Sequence, residues 1–433
     1  MTSKAGDRRE TVSRPILIRG AKQLLTLRGA KGVRRGLALQ ELGIIADGAV
    51  LIRDGIIDQV GPTRRVENLA ASRSALEFDA TGRVVMPGFV DSHTHLISGP
   101  PWLDEYERRI EGGNPVAARR GLRASVQAIR SVSGARLELI AKDAIQTMLR
   151  HGTTTLEAKS GYGYDLTGEF KLLRALAALA GQPADIVPTF LASFAIPFEF
   201  GEDPERYVSR VISELLPKLQ RRKLCRFVEV ACENPGPVLN EARRLLEAAR
   251  DKGFALKVQA DQFRPTGGVG LAVELGARSA AHLEHIDDTG IAALGQSETI
   301  ATLVPGSAFH LGLDRYAPAR RLIEAGAAVA LATGMNPDSS PTSSMQMVLS
   351  LACARMRMMP AEAITAATIN AAYALGCGSS AGSLEVGKWA DLIVLNVSDY
   401  REIPYQFGVN HAHFVIKRGR LVYREAAVSA PPG

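Results

Sequence analysis

Eight times between residues 84 and 336 the chain turns short and apolar, stops on polar residues, and then changes to helical spacing. The runs are VVMPGFVDSHTH (84–95), TTTLEAKSG (153–161), DIVPTFLASFA (185–195), RFVEVACE (226–233), ALKVQADQ (255–262), SAAHLEH (279–285), IATLVPGSA (300–308) and AVALATGMN (328–336). Between them lie stretches such as LELIAKDAIQTMLRHG and VLNEARRLLEAARDKG, apolar at helical spacing and closed by a C-cap glycine. Eight strand–helix units over about 250 residues predict a TIM (β/α)8 barrel, with its functional side chains at the C-terminal strand ends. A doubly wound sheet shows the same alternation, but a count of eight, each closed by polar residues, favours the barrel.

The flanks follow another pattern. GAVLIRDGIIDQVG near the start, and GSLEVGKWADLIVLNV and HAHFVIKRGRLVY near the end, are β-branched runs broken by DG, GK and RG steps. That is the signature of antiparallel hairpins. We therefore expect residues 15–83 and 376–433 to build one small β-sandwich from both termini, residues 84–375 to form the barrel, and residues 1–14 to be a basic disordered tail.

Charge and cysteine usage narrow the function classes. The net charge of +7 is concentrated in the first 36 residues, which hold ten Lys or Arg against Asp7 and Glu10. The remainder is close to neutral, and no nucleic-acid-binding motif accompanies the basic segment, so a solvated tail is expected and a nucleic-acid partner is not. No apolar run reaches the roughly 18 residues of a membrane-spanning helix, and the polar start lacks a secretory core, so a cytoplasmic protein without a membrane partner is expected. Cys225, Cys232, Cys353 and Cys377 form no CxxC pair and are expected to be free thiols.

The motif richest in chemistry is Pro87-Gly88-Phe89-Val90-Asp91-Ser92-His93-Thr94-His95. Side chains two residues apart on a strand point the same way, so His93 and His95 would present two imidazoles at the barrel mouth. That spacing suits one divalent ion, Zn or Fe.

PGFVDSHTHL, LEAKSGYGYD, QADQF, SAAHLEH and LATGMNPDSSPTSSMQ, taken in order, resemble the motifs of imidazolonepropionases, a branch of the amidohydrolase superfamily. The similarity runs nearly end to end and includes GKWADLIVL. It implies hydrolytic opening of a cyclic amide ring by a metal-activated water, during histidine breakdown in the relatives. It also implies a metal held by two His of the first strand, one His of the fifth and one Asp of the eighth. Here the latter two positions are Gln259 and Gly334. The resemblance further makes His282 a proton carrier beside the metal-bound hydroxide, and Gln262, Tyr162, Asn336 and Ser339 pocket residues. Lys159 is retained within LEAKSGYG.

Other positions depart from the family. Trp102 stands where relatives carry the Arg that holds the propionate, and Phe194, in Ala192-Ser193-Phe194, where they carry a His. Both are expected to line a pocket recast toward a less acidic ligand, since an aromatic cannot grip a carboxylate as a guanidinium does. Asp338 replaces the Gly of NPGSSP and is expected to be an exposed turn residue; Arg264 offers a cation from another loop, but a surface position is the expected fate. Asp261 is expected to face the same side as Gln259. Two readings stay open: a hydrolase with a remodelled centre, in which His282 joins His93 and His95 as ligand, or an inactive barrel that binds a small molecule or a protein partner. Related barrels are often homodimers, and a homodimer is expected on that resemblance only.

Overall fold

The computed structural model describes residues 14–113, 119–192, 203–232 and 239–426. Residues 1–13 of the expected tail and Phe194 lie outside these residues, while Arg14 donates to the Ser74 carbonyl at 2.8 Å. Both flanks contribute to one eight-stranded sheet. From the first come β1 (Ile16–Leu25), β2 (Ile44–Arg53), β3 (Ile56–Pro62), β4 (Leu76–Asp79) and β5 (Val84–Pro87). The barrel strands follow as β6 (Phe89–Asp91), β7 (Thr153–Lys159), β8 (Asp185–Ala192), β9 (Phe227–Cys232), β10 (Ala255–Ala260), β11 (Ser279–His282), β12 (Ile300–Leu303) and β13 (Val329–Leu331). The chain then returns to the first sheet as β14 (Leu392–Leu395), β15 (Ala412–Lys417) and β16 (Arg420–Arg424).

β1 organises the terminal sheet by dividing its length between two neighbours. Ile16–Arg19 pairs with β4, and Gln23–Leu24 pairs with β5, while β2 runs antiparallel along the other edge. The stretch 84–95, expected from its sequence to be a single barrel run, divides. It is two strands: Val84–Pro87 pairs antiparallel with β14, and the barrel begins at Phe89. Pro87 has no N–H to continue a ladder. A Cβ on Gly88 would lie 2.2 Å from Thr154 Oγ1, so only glycine allows the chain to pass that close between sheets.

From β6 to β13 every neighbouring pair is parallel and consecutive. Beyond the strand ends, a parallel bridge between Thr94 and Met335 links the first strand to the last. The His95 N–H donates to the Met335 carbonyl at 2.8 Å, and the Gly334 N–H to the His93 carbonyl at 2.9 Å. Closure thus takes place at the level of the functional residues.

Helices cover the outside for the reason their spacing suggests. In helix Leu239–Asp251, Ala242, Leu245, Leu246 and Ala249 form the buried stripe. The helices Gly134–Arg150 and Leu166–Ala177 start on side-chain caps, Ser133 accepting from Arg136 N–H and Asp165 from Gly168 N–H. No helix among the described residues is long and apolar enough to cross a membrane.

All four cysteines are free. Burial pushes the thiols of Cys225 and Cys377 up to about 12 and that of Cys353 to about 11, and Cys232 is buried. Because the thiolate is the nucleophile, a thiol reagent at pH 8 should label the native protein slowly and all four sites promptly after unfolding. Fast native labelling of Cys225 would contradict this burial.

Candidate active site

Within the barrel, lone charges in apolar strands converge on one another. Lys159 Nζ lies 2.7 Å from Glu157 Oε2 and is also bonded to Glu229; Lys257 Nζ lies 2.6 Å from Glu157 Oε1 and 3.1 Å from the Ser92 carbonyl. Thr189 donates to Glu157 Oε1 at 2.6 Å. None of these four charged side chains is more than 1% exposed. Burial opposes the charge of Lys159, but the two carboxylates outweigh it and hold the ammonium above its ordinary value. The same balance holds Glu157 below its own. Two lysines and two glutamates thus form a charge-balanced network beneath the mouth.

His93 and His95 stand above it, 2% and 1% exposed, with ring centroids 5.7 Å apart. Asp91 positions this strand end. Its carboxylate accepts from the Thr333 N–H at 3.1 Å, the Thr333 hydroxyl at 2.5 Å and the His93 N–H at 3.4 Å, joining first strand to last. Burial, moderated by those bonds, pushes Asp91 up to about 7. Burial and then the Lys159 charge drive both imidazoles down, His93 well below its usual value and His95 to about 3. Both rings are neutral at physiological pH, with lone pairs to offer.

His282 packs against His93 as well. It closes β11 with φ at +78°, followed by Leu283 at +73°, a left-handed pair of non-glycine residues. Such residues cost about 1–3 kcal/mol each and persist only where surroundings fix them. Here the Leu283 N–H donates to the Ala260 carbonyl at 3.1 Å and the His285 N–H to the Asp261 carbonyl at 2.7 Å. The ring centroid of His282 lies 5.2 Å from that of His93, and its Nδ1 lies 3.8 Å from Glu284 Oε1. Buried polar atoms of three residues in this region, His282 Nδ1, Gln259 Nε2 and Glu284 Oε2, have no protein partner.

Two imidazoles sharing one ion at ~2.1 Å hold their centroids about 5 Å apart, so the ring spacings suit shared ligation. The rest of the donor set does not. Gln259 is neutral and Gly334 has no side chain. No set of three or more His, Cys, Asp or Glu among the described residues is posed to hold one ion. The residues present do not fit the four-ligand centre that the resemblance implies. Steric room matches the chemistry: Gly334 has φ at +64°, and a Cβ there would lie 2.2 Å from the Cγ1 of buried Val304. Gly334→Asp alone should therefore lower stability by about 1–3 kcal/mol through overpacking. A denaturation midpoint equal to wild type would show that Val304 yields freely.

Around this centre the expected pocket residues part company. The Tyr162 ring lies 5.5 Å from that of His95, and its loop is fixed by Glu169, which accepts from the Gly161 and Tyr164 N–H groups. Gln262 Nε2 donates to Ser307 Oγ at 3.0 Å. Asn336 and Ser339 are engaged in shaping their loop: Asn336 Oδ1 accepts from the Asp338 and Ser339 N–H groups, and its amide donates to the Gly334 carbonyl and Ser339 Oγ. Trp102 has a packing role, 7% exposed, its indole donating to Ser125 Oγ at 2.8 Å and lying against Gly121. Asp261 has left the direction of Gln259. With φ at +57°, its carboxylate accepts from the Thr266 N–H and hydroxyl. Arg264 is exposed.

Asp338 is the clearest correction, since it is no free turn residue. Its Oδ1 lies 3.0 Å from Arg109 Nη1, whose side chain is only 9% exposed. Sequence reasoning missed Arg109, His310 and Glu284. It also missed the network partners Glu157, Glu229 and Lys257, although a single charge inside an apolar strand run was a usable signal. A separate cavity of about 940 Å³ is lined by Asp185, Arg226, Trp389, Lys417 and Arg418, where the starts of β7 and β8 face the terminal sheet. It lies at the opposite strand ends from the histidines.

A parallel eight-stranded barrel with a terminal β-domain and histidines clustered at its C-terminal strand ends defines an amidohydrolase. Residues 84–422 match the amidohydrolase family, and the chain belongs to it. It is similar over nearly its whole length to imidazolonepropionases. It is 44% identical to that of Geobacillus kaustophilus, covering 96% of this chain and 99% of the relative, and 45% identical to that of Solibacter usitatus, covering 94% and 98%. Among solved structures, a triazine hydrolase variant shares the fold with a TM-score of 0.71 at 20% identity, covering 95% of each chain.

Proposed function

We propose that the chain is a hydrolase of a cyclic amide or amidine C–N bond in a small molecule, related in reaction to imidazolonepropionases but acting on a different ring. The observation that carries this is the packing of both the His95 and the His282 rings against His93 at the strand ends. Ring opening adds water to the carbonyl or amidine carbon, breaks the C–N bond and returns a proton to the departing nitrogen. His282 takes the proton from water and delivers it to nitrogen, with the Glu284 carboxylate 3.8 Å from Nδ1 favouring the protonated ring. The Tyr162 hydroxyl and Gln262 amide position the substrate. His93 and His95 are what remain of the ligands for a Zn or Fe ion, and no step here runs through one.

The second reading, a barrel that binds without turning over, is favoured by Gln259 and Gly334. One assay separates the two. Ring opening is followed for imidazolonepropionate, its neutral amide, hydantoin and dihydrouracil, with and without added Zn²⁺ or Fe²⁺. At least one neutral ring should open, and imidazolonepropionate should be turned over negligibly. Efficient turnover of imidazolonepropionate would refute the altered pocket; no turnover of any ring would favour the binding protein.

A further inference from the structure

A line of contacts leads away from the histidines to a charge this chain has placed for itself. From His95 the line passes to the Tyr162 ring at 5.5 Å. The Tyr162 phenol is pushed up by burial and, to a lesser degree, by the negative charge of Asp338. Asp338 holds Arg109 twice, through Oδ1 at 3.0 Å and through its backbone carbonyl at 3.0 Å from Nη2. The same Nη2 is 3.1 Å from His310 Nε2, and the His310 ring stacks on Tyr106 with centroids 5.2 Å apart.

Every element of this array is anchored. Arg109 comes from helix Leu103–Ile110, His310 from helix Pro305–His310, and Asp338 from the loop after β13 whose turn Asn336 ties. Burial and then the Arg109 charge keep His310 below its ordinary value, so the ring is neutral and accepts from the guanidinium. Both terminal nitrogens of Arg109 are therefore engaged from within the protein.

We propose that Asp338 is a built-in carboxylate that occupies Arg109 and sets the specificity of the mouth, favouring rings with neutral or cationic substituents over anionic ones. A free guanidinium in this place would bind a ligand carboxylate by charge-assisted hydrogen bonds. With Asp338 present, an incoming carboxylate must displace an intramolecular partner and also approach a second anion. The inference rests on the mouth being the ligand site, as the proposed function has it, and it names the class of ring substituent.

The test is calorimetric binding, at pH 8, of imidazole-4-propionate, its neutral amide and histamine to the full-length protein and to Asp338→Gly and Asp338→Asn. Thermal melts of each variant confirm folding. Wild type should bind the amide and histamine about tenfold or more tighter than the propionate, and both substitutions should raise propionate affinity by about tenfold or more while leaving the amide within about twofold. Equal affinities in wild type, no gain in either variant, or no binding of any probe to any of the three proteins would overturn the inference. Turnover is scored separately. Ring opening without the predicted charge preference refutes this inference alone, and the preference without ring opening refutes the hydrolase alone.

Discussion

Lys159→Met should cost the fold about 3–5 kcal/mol, because it strands two buried carboxylates rather than removing a favourable contact. Glu157 and Glu229 are at most 1% exposed, and Lys159 bridges them. Lys257 would still neutralise Glu157 but is not bonded to Glu229. The orphan left behind is thus specifically Glu229, and Lys159→Met combined with Glu229→Gln should recover a large part of the loss. Urea denaturation followed by circular dichroism reads both values from the midpoints. A single-variant loss under about 1 kcal/mol would mean that the network is hydrated in solution.

The same network sets a pH dependence with a definite sign. Glu157 is held below its ordinary value by the two ammoniums, which outweigh its burial. Its contribution to stability is therefore complete above the usual glutamate range and is lost as pH falls through the depressed folded value. Acid unfolding of wild type should begin on that side.

The second large effect concerns the substituted ligand positions. Gln259→His with Gly334→Asp supplies the imidazole and carboxylate that the resemblance implies at these positions. Structural zinc sites gain roughly 10–16 kcal/mol from about four ligands, so two restored ligands should tighten an ion by about a thousandfold or more. The geometry adds a condition that the sequence could not supply. Val304 Cγ1 occupies the space of a Cβ at Gly334, so the full gain requires Val304→Ala as a third change. Metal content of protein purified without added metal should be substoichiometric in wild type, little changed in the double variant and near one ion per chain in the triple variant. Stoichiometric metal in wild type would contradict the incomplete donor set. None in the triple variant would mean that His93 and His95 no longer converge with position 259.

What the sequence made legible was local. Each barrel strand announced itself by a short apolar run with a polar end, and two histidines at i and i+2 marked the mouth. What it concealed depended on partners distant along the chain. Val84–Pro87 reads as the start of a barrel strand until β14, some 300 residues later, claims it. Asp338 reads as a turn residue until Arg109, 229 residues earlier, is found against it. Asn336 and Trp102 read as ligand-facing groups because the resemblance places them at pocket positions. Their hydrogen-bonding atoms are instead engaged with the loop and with Ser125. The charges of TTTLEAK, RFVEVACE and ALKVQADQ were visible singly, but their neutrality as a set is a property of barrel register.

The catalytic role of the mouth stands or falls with His282. Asparagine tolerates the left-handed backbone that His282 adopts, so His282→Asn removes the imidazole with little disturbance of the turn. The decisive measurement is kcat/KM for opening of the best neutral ring in the cyclic-amide panel, by wild type and by His282→Asn of equal thermal stability. Measurable wild-type turnover that falls by about 10²–10⁴-fold in the variant is the expected result. Equal turnover by both proteins, or none by wild type with Zn²⁺ or Fe²⁺ supplied, would contradict it.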